Sequence, residues 1–131
     1  MLSSANMRGY IEGYYGRILT WQDRRRLLDQ ISECGMNCYF YAPKEDPYHR
    51  LHWRRKWDAK WNTAFTRFCA RARQKKIDVL AGIAPGLDYD FRNETNDFNH
   101  LVEKSVYLES AGANAVVLMF DDIEPAPGHF D

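Results

Sequence analysis

No stretch of this chain approaches the ~18 consecutive apolar residues that a membrane span needs, and neither sign of charge prevails, with Lys plus Arg at 18 and Asp plus Glu at 18. The first absence argues against a transmembrane helix. The second argues against a dominating attraction to nucleic acid or an anionic membrane. Cysteine is scarce and odd in number, with Cys34, Cys38 and Cys69 the only three. No disulfide framework is expected, and Cys34 and Cys69 fall on predicted helices among apolar neighbours, where a free thiol behaves as a small hydrophobe. Neither Gly-x-Gly-x-x-Gly nor Gly-x-x-x-x-Gly-Lys follows the first predicted strand, which weakens a nucleotide-binding reading. Residues 1–8 have neither the basic start nor the apolar core of a signal peptide. The expectation is a soluble, cytoplasmic protein that needs no cofactor and whose partner is small or neutral.

What is present is a core. With 131 residues and 45% hydrophobic content, the chain suits one domain or part of one. Aromatic residues reach 15%, and rings with a polar edge serve both core packing and sugar binding.

Strand and helix patterns alternate along the chain. Gly9-Tyr10-Ile11-Glu12 reads as a short strand running into the Gly13-Tyr14-Tyr15-Gly16 turn. Thr20 with Asp23 resembles a capping box, Leu27, Leu28 and Ile31 give the helix its stripe, and Gly35 ends it. Residues 37–42 form a second strand broken by Pro43, and 44–60 a charged, aromatic-rich loop too long for a plain connector. Trp61, Phe65, Phe68, Cys69 and Ala72 recur at helical spacing, with the basic stretch 71–76 at the helix C-terminus. Residues 77–84 make the third strand, and Phe98, Leu101, Val102 and Leu108 mark a third helix stopping at Gly112. The apolar run 115–120 reads as a strand buried on both faces, after which come Asp121 and Asp122.

A β-α-β-α-β-α-β order implies parallel strands joined by right-handed crossovers, in a doubly wound sheet or in part of an eight-stranded barrel. Polar groups follow every predicted strand: Glu12-Gly13-Tyr14-Tyr15, Lys44-Glu45-Asp46, Asp88-Tyr89-Asp90 and Asp121-Asp122. Functional residues contributed from successive strand ends are the habit of the barrel.

Four ordered motifs carry a resemblance. Gly13-Tyr14-Tyr15-Gly16-Arg17, the run from Tyr41 to Arg50 with Trp53-Arg54, Pro85-Gly86-Leu87-Asp88 and Phe120-Asp121-Asp122-Ile123 resemble the catalytic domain of glycoside hydrolase family eighty-four, the β-N-acetylglucosaminidases. Tyr14 stands where that family commonly has Phe, and Ile18-Leu19 replaces a common Pro-Trp. The resemblance implies the N-terminal half of a (β/α)8 barrel over residues 9–131, truncated after its fourth strand and preceded by a 1–8 extension. It also implies removal of β-linked N-acetylglucosamine from a glycan or glycoprotein by substrate-assisted, retaining catalysis. In that chemistry the substrate's 2-acetamido oxygen attacks the anomeric carbon and forms an oxazoline. Asp121 would orient the acetamido group, and Asp122 would protonate the leaving group and then activate water. The Gly13 carbonyl and Lys44 would contact sugar hydroxyls, and Tyr14, Tyr15 and Asp46 would shape the pocket. Two-carboxylate glycosidases hold their acids roughly 5 to 9.5 Å apart across the scissile bond, which is awkward for neighbours in sequence. Substrate assistance removes that need.

Other readings of the same residues remain open. A paired Asp after a strand is often a solvated turn. His49 and His52 have metal-like spacing without a completing Cys, which favours a solvated or packed pair. Trp53, Trp57 and Trp61, spaced by four, read as helix packing rather than sugar stacking. Since such a barrel takes typically ~250 residues, a chain ending after its fourth strand leaves edges and inner faces uncovered, so self-association or completion by a missing C-terminal half is expected. Two alternatives therefore stand beside the hydrolase: a noncatalytic sugar-binding or self-associating half barrel, and a Mg²⁺ enzyme using Asp121, Asp122 and Glu124 as oxygen ligands.

Overall fold

The computed structural model describes residues 6–120. Its elements run β1 (Gly9–Glu12), α1 (Trp21–Glu33), β2 (Cys38–Tyr41), α2 (Ala59–Gln74), β3 (Asp78–Ile83), α3 (Asp97–Ser110) and β4 (Ala115–Leu118). The strands form one sheet in the order β1-β2-β3-β4, with every neighbouring pair parallel. Strand order that follows chain order without reversal is the winding of a barrel; a doubly wound sheet reverses direction at a switch point. The described residues are thus half of a (β/α)8 barrel.

Local chemistry sets the element ends. Thr20 and Asp23 form the expected reciprocal capping box at the start of α1, each backbone N–H donating to the other's side chain at 3.0 Å. Asp58 caps α2 by accepting from the Trp61 backbone N–H at 2.8 Å, so that helix starts at Ala59. The Trp53, Trp57 and Trp61 series therefore does not lie on one helix. Trp53 and Trp57 belong to the preceding loop, and only Trp61 is helical. Trp57 nonetheless stacks on Trp61 at 4.2 Å between centroids, so the spacing of four marks packing across a helix boundary.

Side-chain alternation divides the sheet into two faces. Tyr39, Tyr41, Val79, Ala81 and Ile83 point toward the helices and are buried with Leu28, Phe65, Phe68 and Leu108. Trp21 joins them, its ring 6.2 Å from Tyr41 and 5.9 Å from Phe68. The other face, with Ile11, Phe40 and Leu80, borders an open groove of about 320 Å³. Ile11 there is 61% exposed. β4 departs from the expectation of a strand buried on both faces: its residues are half-buried and Leu118 is 48% exposed. It is an edge strand among the described residues. Cys34 is also not among apolar neighbours; it caps the C-terminus of α1 and is exposed, whereas Cys69 is buried.

A buried ion pair fixes β1 to α1. Glu12 accepts two bonds from Arg24, from Nε at 2.8 Å and from Nη2 at 2.9 Å, and one from the Tyr39 hydroxyl at 2.6 Å. The guanidinium also lies 4.4 Å from the Trp21 ring centroid. Such a pair adds little net stability when intact, yet removing one partner strands a buried charge at a cost of about 3–5 kcal/mol. Arg24→Met is expected to lower the unfolding free energy by that amount in urea denaturation, and Glu12→Gln, which strands the Arg24 charge and replaces one acceptor oxygen with a donor, by a comparable amount. Equal stability of Arg24→Met and wild type would contradict this account.

Candidate active site

Because the strands are parallel and in register, Glu12, Tyr41, Ile83 and Leu118 end at one rim. That is the rim where barrels place their chemistry. The Ala42 N–H donates to the Glu12 carbonyl at 2.9 Å, which sets Gly13 beside the end of β2. Tyr14 is engaged through its hydroxyl, 2.9 Å from that of Tyr10. Tyr15 is exposed, and its ring centroid lies 5.9 Å from Lys44 Nζ and 5.7 Å from the Arg50 guanidinium. Lys44, Tyr15 and Arg50 thus meet at the rim, next to Gly13. Asp121 and Asp122 lie outside the described residues; the chain is followed to Phe120, and Met119 still donates to the Ile83 carbonyl at 2.9 Å.

Asp46 is buried and organises the loop from inside. One carboxylate oxygen accepts from the Tyr41 hydroxyl at 2.5 Å and from Trp57 Nε1 at 2.8 Å, and the other from the Tyr48 backbone N–H at 2.9 Å. Any effect of Asp46 on a pocket passes through the loop it shapes. Asp88 likewise accepts from Trp53 Nε1 and from Arg54 Nη1, each at 2.8 Å. Arg54 also donates from Nε and Nη2 to Asp97 at 2.7 Å each, and this pairing holds the Asp97 carboxyl below its ordinary range. Of the acidic residues at or beyond the ends of β1, β2 and β3, Glu12, Asp46 and Asp88 are all engaged in ties between elements.

Two more residues hold this rim: Lys104, which sequence reasoning passed over, and His49, which it read with His52 as a solvated or packed pair. Lys104, on α3, is buried and donates to the carbonyls of Tyr48 at 2.7 Å, Trp53 at 2.9 Å and Arg55, with its Nζ also 4.1 Å from the Trp57 ring centroid. Burial pushes its pKa down to about 7, with Asp46 acting in the opposite sense. Three carbonyl acceptors match the three protons of an ammonium group. His49, one half of the metal-like pair, is fully buried, whereas His52 is exposed. Its imidazole Nδ1 is 2.7 Å from the Gly82 carbonyl. A glycine inside a strand is the one sequence signal for such a close approach, since a Cβ at Gly82 would sit 3.0 Å from His49 Cε1. Among the described residues no group of three His, Cys, Asp or Glu could hold a metal ion.

Comparison with known proteins gives this rim a context. A family model described as beta-N-acetylglucosaminidase matches residues 8–131. The chain belongs to that family. Protein O-GlcNAcase from Rattus norvegicus and from Mus musculus are each 32% identical to it over 116 residues, 88% of this chain. A solved structure described as that of CpGH84B superposes with a TM-score of 0.86 at 36% identity over 91% of this chain. The chain spans 13% of the length of those two curated relatives and 21% of the solved chain. No described helix is long and apolar enough to cross a membrane.

Within this β-N-acetylglucosaminidase half barrel, the motif that contains Lys44 is a loop bonded at nearly every turn. Lys104→Met keeps the length of the side chain and leaves buried carbonyls without a donor, a cost of about 1–3 kcal/mol for such a group. Amide hydrogen exchange should accelerate across residues 46–55 while Val79 and Ala81 stay protected. Uniform acceleration across the sheet would mean that Lys104 serves global stability and not the loop.

Proposed function

We propose that this chain supplies the catalytic half of a glycoside hydrolase that releases β-linked N-acetylglucosamine from a glycoprotein or glycan, with Asp121 and Asp122 as its catalytic carboxylates. The observation that carries the proposal is the family match over residues 8–131, which spans the acid pair. A rim loop tied down around Lys44 supports it.

The reaction needs no cofactor. The acetamido oxygen of the substrate attacks the anomeric carbon while Asp121 accepts a hydrogen bond from the acetamido N–H. As the glycosidic C–O bond breaks, Asp122 gives its proton to the departing oxygen. Water then adds to the anomeric carbon with Asp122 taking its proton, and the oxazoline opens with net retention. Lys44 and the Gly13 carbonyl hold sugar hydroxyls, Tyr15 and Tyr14 bound the pocket, and Asp46 fixes the loop on which Lys44 sits. The unpaired cysteines fit a reducing compartment such as the cytoplasm.

A second reading is favoured by one observation, the open inner face with Ile11 61% exposed. A half barrel whose face is covered by a second copy would bind sugar or associate without catalysis.

The two readings separate on leaving-group dependence. General acid catalysis contributes about 10²–10⁴-fold, and 4-nitrophenol departs with little need of a proton. Asp122→Asn is therefore expected to cut kcat/KM by about 10²–10⁴-fold on an unactivated N-acetylglucosaminide and by far less on the 4-nitrophenyl glycoside. Equal losses on both substrates would remove Asp122 from the acid role. Sugar binding by the wild type with no hydrolysis of either substrate would favour the noncatalytic half barrel.

A further inference from the structure

We propose that His49 is a positioning residue for the sugar site: its imidazole, neutral and protonated at Nδ1, takes the place of the backbone N–H that Pro43 cannot offer to β3 and so fixes the rim loop that carries Lys44. The inference rests on the assignment of Lys44 as a sugar contact.

The argument starts from the register. Tyr41 stands opposite Ala81, so position 43 falls opposite Ile83. Ala42 turns its N–H to β1, donating to the Glu12 carbonyl, and alternation turns residue 43 to β3. In a parallel ladder that residue would donate to the Gly82 carbonyl and accept from the Ala84 N–H. Residue 43 is proline, which has no N–H, and its carbonyl accepts instead from the Asp46 N–H at 3.0 Å. β3 is left with two buried polar groups and no strand to answer them.

His49 answers both. Its own carbonyl accepts from the Ala84 N–H at 2.9 Å, and its ring Nδ1 reaches the Gly82 carbonyl at 2.7 Å. A carbonyl only accepts, so Nδ1 carries the proton. The ring fits because Gly82 has no side chain, the vacant Cβ position lying 3.1 Å from the Ala42 Cβ and 2.9 Å from Met119 Sδ. Nε2 is buried with no hydrogen-bond partner among the described residues. Protonating it would add a buried donor without an acceptor.

The charged groups around the ring are Lys44 and Asp46 on its own loop and Lys104 on α3. Burial lowers the His49 pKa below 6.5, Lys44 and Lys104 reinforce that direction, and the Gly82 bond and Asp46 oppose it. Between the folded value and 6.5 the unfolded chain binds more protons, so stability rises with pH across that window. The contribution is complete above 6.5 and is lost as pH falls toward the folded value. His49→Asn should lack this acid loss in pH-dependent urea titrations.

Two variants and one spectrum test the positioning role. His49→Asn keeps a short side-chain N–H that can reach the Gly82 carbonyl, and His49→Leu keeps bulk without a donor. In the ¹⁵N-labelled chain at pH 7, the ring spectrum should report a protonated Nδ1 and a bare Nε2, and the Lys44 amide resonance should move in His49→Leu but not in His49→Asn. In hydrolysis of 4-nitrophenyl N-acetyl-β-glucosaminide, His49→Leu should raise KM at least tenfold with kcat within threefold, because displacing Lys44 removes binding shared by substrate and transition state. His49→Asn should stay within threefold on both. A proton on Nε2, or a folded His49→Leu with unchanged KM and unmoved Lys44 resonance, overturns the inference. If His49→Leu does not fold, a tenfold rise in KM for His49→Asn overturns it and a value within threefold supports it. If the wild type hydrolyses nothing, the glycosidase reading fails, and the tautomer and the Lys44 resonance still decide the placement of the loop.

Discussion

A strand that ends at a proline leaves its neighbour's polar groups unanswered, and the rim of this half barrel is organised around that fact. β2 stops at Tyr41 while β3 runs on to Ile83, so the far end of β3 borders a loop and not a strand. Each buried polar group left unpaired costs about 1–3 kcal/mol, against a total stability of about 5–15 kcal/mol for a typical domain. The loop cannot simply be a tether. It is folded back so that His49 meets β3, Asp46 gathers Tyr41, Tyr48 and Trp57, and Lys104 donates to three of its carbonyls. Lys44 gains a fixed place as a consequence of this bonding.

The two faces of the sheet divide the work. Toward the helices, tyrosine and tryptophan rings close the core and bring their polar edges with them, which is why the buried Glu12 and Asp46 each find a tyrosine hydroxyl. Toward the barrel axis the side chains are few and partly open, with Ile11, Phe40 and Leu80 beside a groove. Glu12 and Gly13 are adjacent in sequence yet serve different faces. Glu12 turns outward to Arg24, while the Cβ position of Gly13 falls 3.1 Å from Ile11 Cγ2 on the axial side. Alternation along the strand thus separates a residue that holds the fold from one assigned to the ligand.

How much of this was legible in the sequence follows from which signals are local. The alternation of elements, the Thr20 and Asp23 capping box and the helix stops at Gly35 and Gly112 depend on neighbours along the chain, and all are present. Burial of β4 on both faces depends on what covers it, and among the described residues Leu118 is left 48% exposed. The tryptophan spacing misled because stacking crosses from loop to helix. The polar groups at the ends of β1, β2 and β3 read as functional, and for the acidic ones partners distant in sequence decide the role: Arg24 for Glu12, Trp57 for Asp46, Trp53 and Arg54 for Asp88. His49 was read for its spacing to His52, whereas its meaning lies 33 residues away at Gly82. The acid pair itself rests on the family match, since Asp121 and Asp122 are outside the described residues.

Committing the described carboxylates to structural partners bears on the chemistry proposed at this rim. Asp46 and Asp88 face donors from Trp, Tyr and Arg, whereas Lys44 and Arg50 lie beside the Tyr15 ring. A carboxylate so engaged cannot turn to a ligand without leaving its donors unpaired, at about 1–3 kcal/mol for each buried one. Asp46 and Asp88 are thereby set apart from the acid chemistry proposed for Asp121 and Asp122, and their part in it is to hold the loops of the rim.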